Sequence, residues 1–229
     1  MNILYLDSST EACTAGVAVG DQVVTDFEIA PRGHAQLLLP MAESLLERTG
    51  VGFDELDLIG FGRGPGSFTG VRIATAMAQG IAMARDLPLA GVSSLDCLAL
   101  GAWHRYVQGG GTADAEIAVA IDARMGEIYR AVYRVGAGGT LVVVEDEAVT
   151  EPTFPPRKDA SLPLVVAGSG FGRYPEMAES DSVALHAPDA LPHAEEALEL
   201  LRRTSADDWM SADKAVPHYL RDNVAKVAT

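Results

Sequence analysis

The sequence predicts an α/β fold made of two copies of one α/β unit. Three observations carry this. Short apolar strands alternate with helical stretches through the first hundred residues. A Gly-rich polar segment, VQGGGTADAE (107–116), is followed by a restart of the pattern. Finally, LYLDSSTEACTAGVAV is echoed by AVAIDARMGEIYRAVY. Each puts an aspartate, Asp7 or Asp122, at the end of an apolar strand, then a polar turn and a returning strand.

Taken in order, NILYLD (2–7), ACTAGVAV (12–19) and QVVTDFEIA (22–30) read as strands. The turns between them, Asp7 to Glu11 and Gly20-Asp21, are short enough to make the three antiparallel. AQLLLPMAESLLERTG (35–50) has helical spacing at Leu38, Met41 and Leu45, with Gly50 as its stop. Pro40 either kinks this helix or begins its regular part. LDLIGFG (56–62) is a buried strand, GVRIATAMAQGIAMARD (70–86) a helix, PLAGVS (88–93) a short strand and SLDCLALGAWH (94–104) a helix. The second copy runs through strands in 116–135 and 140–150, a strand and short helix in 162–177, and an amphipathic helix at 193–204. The domains are therefore 1–106 and 107–229, the second degenerate, with a tail that packs back on the first.

Composition narrows the class. Of 229 residues 48% are hydrophobic but only 6% aromatic, so the core is built from Ala, Val, Leu, Ile and Met. No apolar run reaches the ~18–20 residues of a membrane helix, and MNILYLDSST lacks the basic region of a signal peptide. Cys13 and Cys97 sit in apolar surroundings and read as buried thiols of a cytosolic protein. A net charge of −15 repels polyanions, so a nucleic-acid substrate would have to be held by another chain.

GRGPGSFTGVR (62–72) invites a phosphate-loop reading, but no lysine follows at the Walker spacing, and Gly70 falls one residue beyond the G-x-G-x-x-G pattern. Gly64-Pro65-Gly66-Ser67 suits a type II turn, with Ser67 or Thr69 capping the next helix. The free N–H groups of that helix start remain open to an anion, with Asp7, Ser9, Gly64, Gly66, Ser67, Thr69 and Arg72 as the contact set. Serine-hydrolase chemistry is excluded because neither Ser67 nor Ser169 has a glycine two residues before it. His34, His104, His186, His193 and His218 lack metal-ligand spacing, and His34 reads as a solvated residue at a helix start. Asp7 and Asp122 either face a shared cleft or close Asx turns.

Between Val71 and Arg85 the polar residues are few: Arg72, Thr75, Gln79 and Arg85. A helix this apolar is buried on more than one side. Its Ala74, Ala78 and Ala82 recur every four residues and permit close helix approach. Leu38, Met41, Leu45, Ile73, Ala74, Met77, Ala78 and Ile81 are the expected interface.

LYLDSSTEACTAGV, RGHAQLLLPM, GFGRGPGSFTGVRIATAMAQGIA and the tail PHYLRD resemble the TsaB family, formerly YeaZ. The resemblance implies the actin/sugar-kinase/chaperone-ATPase (ASKHA) fold with two duplicated βββαβα domains. It also implies a non-catalytic partner of TsaD, which transfers a threonylcarbamoyl group to the adenosine beside the tRNA anticodon. A TsaE-like ATPase would join the pair, the chain alone would form a homodimer, and tRNA would be met only indirectly. No cofactor would bind this chain strongly, with ATP and magnesium entering only in the complex. Where TsaD carries a metal-binding H-x-x-x-H, this chain has His34 and Leu38. The rival reading is an autonomous small-molecule kinase or ATPase of the same fold.

Overall fold

The computed structural model describes residues 1–157, 159–178 and 183–221. Its first half runs β1 (Asn2–Asp7), β2 (Ala12–Val19), β3 (Gln22–Ile29), α1 (His34–Thr49), β4 (Leu58–Gly64), α2 (Phe68–Arg85), β5 (Leu89–Ser93) and α3 (Ser94–Gln108). The second runs β6 (Ala115–Arg124), β7 (Glu127–Val135), β8 (Leu141–Thr150), β9 (Leu164–Ala167), α4 (Ser169–Arg173), β10 (Val183–Ala187) and α5 (Ala194–Leu201). The sheet orders are β3-β2-β1-β4-β5 and β8-β7-β6-β9-β10, the same permutation twice. In each, the first three strands are antiparallel and the last two are parallel to the first. This is the two-unit α/β architecture of the ASKHA fold.

The copies differ where a helix is missing. The first has α1 between its third and fourth strands, but in the second β8 is followed by a helix-free stretch. Phe154 from that stretch stacks on Phe171 of α4, ring centroids 5.5 Å apart, and covers the outer face of the second sheet. The strand β10 also went unanticipated. VALHA is short, and its alternation of partly buried and exposed residues gives no strong signal.

Packing crosses the sequence boundary. α1 and α2 cover the outer face of the first sheet. Between the two sheets lie α3 and α5. Leu95, Leu98 and Trp103 of α3 pack on β6, β7 and β9, while Ala197, Leu198 and Leu201 of α5 pack on β1, β4 and β5. The helix from the first half thus serves the second sheet, and the helix from the second half serves the first. LIGFGRG of β4 shows how the sequence allows it. A β-carbon at Gly60 would overlap Leu201, so glycine leaves the socket into which α5 drops a leucine. A division at 106/107 therefore separates the strands but not the helices that cover them.

α3 lies between the two sheets, buried at most positions from Ser94 to Trp103 and charged only at Asp96 and toward its C-terminal end. Pro40 sits inside a continuous α1. Behind α5 the chain returns to the first half. Leu89 and Met210 pair in a two-residue bridge, and Gln79 Nε2 donates to the carbonyls of Ala212 and Ala215, each at 2.9 Å. His218 N–H then donates to Arg63 O at 2.7 Å. Asp222, the last residue of the tail motif, lies outside the described residues. Among those described, no helix is long and apolar enough to cross a membrane.

Candidate functional site

Two surfaces concentrate the features the sequence singled out. One is a cleft of about 780 Å³ between the halves, and the other is the outward face of α1 and α2.

The cleft opens at the carboxyl ends of β1 and β6, where both halves make the same turn. Asp7 Oδ1 accepts the Ser9 N–H at 2.7 Å, and Asp122 Oδ1 accepts the Arg124 N–H at 2.9 Å. Both are Asx turns, which resolves the choice left open for these aspartates. Their surroundings differ. Asp122 lines the cleft, paired to Arg124 at 2.9 Å. Asp7 points away from it, toward the α3–α5 layer, and is 2% exposed with its second oxygen accepting from Tyr5 Oη at 3.1 Å. Burial pushes its carboxyl above the ordinary range, partly offset by the bonds from Ser9 and Tyr5. Two carboxylates facing each other across the cleft are therefore not what the fold builds.

The glycine loop departs from the type II turn. Positive φ falls on Gly64 (92°) and not on Gly66, and the Gly64–Pro65 peptide is cis. Gly66 is required for a different reason: a β-carbon there would overlap the Ser9 carbonyl. The loop lies flat against the β1–β2 turn, with Ser67 N–H donating to Ser9 O at 2.6 Å. Ser67 is the N-cap of α2, its Oγ accepting from Gly70 N at 3.4 Å, as expected. Thr69 is exposed at the cleft. Arg72 lies over the Phe68 ring, 3.2 Å from its centroid, and 5.1 Å from that of Tyr219. It thus ties the helix start to the tail. His34 is not the solvated residue expected. It is 8% exposed, lines the cleft, and its Nε2 is buried without a hydrogen-bond partner among the described residues.

The helix face needs a sharper correction. Leu38, Leu45, Ala74 and Ala78 are 0% exposed and packed in the core beneath α1 and α2. They cannot meet another chain. Ala74, Ala78 and Ala82 let α2 lie close to its own sheet. A second small-residue line, Ala76, Gly80 and Ala84, faces outward. Around it Met41, Ile73, Met77 and Ile81 are half-buried, while Leu39, Phe68 and Met83 are 37%, 57% and 74% exposed. The sequence shows both lines at i, i+4, i+8, and nothing in it says which faces in.

The halves are also joined by Arg63 of β4 and Glu147 of β8, with Nη2–Oε1 at 2.9 Å and Nη1–Oε2 at 3.3 Å. His218 Nε2 stands 3.5 Å from the same carboxylate.

Comparison with known proteins agrees with this fold. Residues 27–154 match the family model described as TsaD, tRNA N6-adenosine threonylcarbamoyltransferase. The chain is 37% identical over 229 residues to the tRNA threonylcarbamoyladenosine biosynthesis protein TsaB of Escherichia coli (strain K12), covering 98% of this chain and 96% of that one. To the protein of the same name from Haemophilus influenzae it is 40% identical over 130 residues, 56% of this chain and 52% of the other. Among solved structures, YeaZ from Pseudomonas aeruginosa superposes with a TM-score of 0.86 at 39% identity, over 96% of this chain and 99% of that one. Full-length identity at this level, with the shared fold, means that the chain belongs to the TsaB family of tRNA threonylcarbamoyladenosine biosynthesis proteins.

Proposed function

We propose that this chain is the non-catalytic partner of a TsaD-type threonylcarbamoyltransferase, and that it docks through the outward face of α1 and α2. The observation that carries the reading is the exposed line Ala76–Gly80–Ala84, flanked by Met83, Ile73, Met77 and Met41. Small residues let a partner helix approach, and the apolar rim supplies area to bury. Membership in the TsaB family supports the choice of partner. In the absence of TsaD the same face pairs with its own copy, and a TsaE-like ATPase joins the heterodimer. The net charge of −15 leaves tRNA to the partner. ATP and magnesium act at the level of the complex, in the cytoplasm. An autonomous kinase or ATPase needs a free carboxylate facing its nucleotide; Asp7 is buried away from the cleft and Asp122, which lines it, is held by Arg124, which speaks against that reading.

Reconstitution tests this. TsaD, a TsaE-like ATPase, threonylcarbamoyl-adenylate and tRNA should yield modified adenosine only when this chain is added, read by chromatography of digested tRNA. Equal yield without the chain, or with Met83→Arg and Gly80→Arg combined in a folded variant, would sink the reading.

A further inference from the structure

An open sheet ends in two strands with one side unpaired, and the two sheets end in β3, β5, β8 and β10. Three of these edges are blunted. Leu89 of β5 exchanges backbone hydrogen bonds with Met210, each at 2.8 Å. β8 pairs with β7 through register shifts on either side of Val132. β10 has five residues and a register shift of its own. β3 differs. Its eight residues pair with β2 without a shift and include no proline, glycine or lysine.

The ladder decides which backbone groups of β3 face outward. Bonded and non-bonded pairs alternate along an antiparallel pair. The two-residue turn Gly20-Asp21 closes on Val19 and Gln22, and beyond the other end Ala30 N–H donates to Glu11 O at 2.9 Å. Gln22, Val24, Asp26 and Glu28 therefore bond to β2, and the N–H and C=O groups of Val23, Thr25, Phe27 and Ile29 point away from the sheet. None of these outward groups has a hydrogen-bond partner among the described residues. Their side chains lie on the α5 face. Val23 packs against Ala197 and Leu198, and Phe27 stacks on His193 with centroids 4.1 Å apart. Phe27 is still 38% exposed and Ile29 53%. The alternate residues face α1, where Asp26 pairs with Arg48 at 2.7 Å. Glu28 is exposed and has no ion-pair partner among the described residues.

We infer that β3 is a strand-addition edge for an extended segment of another protein, one that alternates apolar residues with Lys or Arg. The outward groups of Val23, Thr25, Phe27 and Ile29 supply the main-chain bonds. Apolar side chains of the added strand lie beside Phe27 and Ile29 on one face, and its cations lie beside Asp26 and Glu28 on the other. The acids that admit a cationic strand also guard the edge. A second copy would bring its own Asp21, Asp26 and Glu28 and another net charge of −15. The edge is separate from the outward face of α1 and α2, so its use does not depend on what docks there.

Three synthetic heptapeptides test this on the ¹⁵N-labelled full chain: one alternating Lys and Val, one with the same residues in two blocks, and one alternating Glu and Val. The alternating Lys–Val peptide should shift the Val23, Thr25, Phe27 and Ile29 amides saturably, with a Kd of about 0.1–2 mM. At a concentration about ten times Kd it should slow their exchange with solvent about tenfold. Val24, Asp26 and Glu28, already bonded to β2, should change little. The block and Glu–Val peptides should bind at least about fivefold more weakly. Thr25→Pro removes one outward N–H and leaves the bonds to β2 whole; it should weaken the Lys–Val peptide about tenfold. Glu28→Lys should weaken it about fivefold and favour the Glu–Val peptide. Thermal melts check that both variants are folded. No saturable shift up to about 5 mM peptide, a block peptide as tight as the alternating one, shifts centred away from β3, or a folded Thr25→Pro that binds like the parent would each overturn the inference. If Thr25→Pro does not fold, an unchanged peptide preference in Glu28→Lys overturns it. Protection of the outward amides that rises with protein concentration alone gives the edge to a second copy and refutes the assignment.

Discussion

Gly62 of β4 lies directly over the carboxyl group of Asp7, so close that a β-carbon at 62 would overlap it. The backbone thereby seals a carboxylate whose oxygens are taken by Ser9 N–H and Tyr5 Oη. Gly62→Ala should cost about 1–3 kcal/mol through overpacking, read as a lowered urea midpoint with unchanged m-value. A variant as stable as the parent would mean that β4 yields there easily.

Asp7 itself should show the cost of its burial. Its carboxyl is raised by desolvation, so the folded state favours the protonated form. The sign follows: the stability this group contributes is fully present below the ordinary carboxyl value of about 3.9 and is lost as pH rises through the folded value. Asp7→Asn keeps an acceptor for Ser9 N–H and removes the charge. It should hold or raise the melting temperature at pH 7, with the difference from the parent fading toward pH 4. A variant less stable at every pH would show that the charged turn outweighs desolvation.

Gly80 separates folding from docking. A β-carbon there meets nothing within 4 Å, so Gly80→Ala should stabilise the isolated chain by about 0.5–1 kcal/mol through helix propensity. The larger Gly80→Arg should leave the monomer folded and reduce association with TsaD or with a second copy. Light scattering and circular dichroism read the two effects. Unaltered association in Gly80→Arg would put the interface on another face.

Ala78→Arg, by contrast, should unfold the chain. Ala78 is 0% exposed beneath α2, and an unpaired buried cation costs several kcal/mol. Loss of the far-UV signal or of soluble expression is the expected result. A well-folded Ala78→Arg monomer would contradict the inward orientation assigned here.

His104 of α3 ties the middle layer together, with Nδ1 3.7 Å from Glu196 and Nε2 3.3 Å from Glu199 of α5. The Glu196 hydrogen bond raises its pKa, against the opposing pull of burial, with Glu199 adding to the rise. A raised imidazole contributes stability that is present below about pH 6.5 and disappears as pH rises through the folded value. His104→Gln should therefore lower stability near pH 6 by about 0.5–1 kcal/mol and much less at pH 9. Proton NMR of the ring should give a titration midpoint above the free value, and a midpoint below it would refute the pairing.

Much of this was legible in the sequence, for reasons particular residues make plain. The repeat was visible because Asp7 and Asp122 close the same turn at the end of an apolar strand. Ser67 was readable as a cap because capping is local chemistry. The orientation of α2 was not legible. Ala74-Ala78-Ala82 and Ala76-Gly80-Ala84 have the same spacing, and only the sheet beneath distinguishes them. Burial of His34 depends likewise on how the β1–β2 turn, the glycine loop and the β6–β7 turn meet, contacts distant in sequence. The type II turn failed because Gly66 answers to the Ser9 carbonyl across the loop, not to a local dihedral preference.

The exchange of α3 and α5 between the sheets bears on how the chain is made. As the polypeptide leaves the ribosome, the first sheet is complete once β5 has emerged, yet its inner face waits for Leu198 and Leu201, more than a hundred residues later. At an elongation rate of about 5–20 residues per second, Tyr5, Ile3 and the open socket at Gly60 face solvent for several seconds. The N-terminal half therefore cannot be released as a finished unit. It should engage trigger-type chaperones during that interval, and translation stalled before α5 should yield a fragment that is degraded rather than a soluble domain.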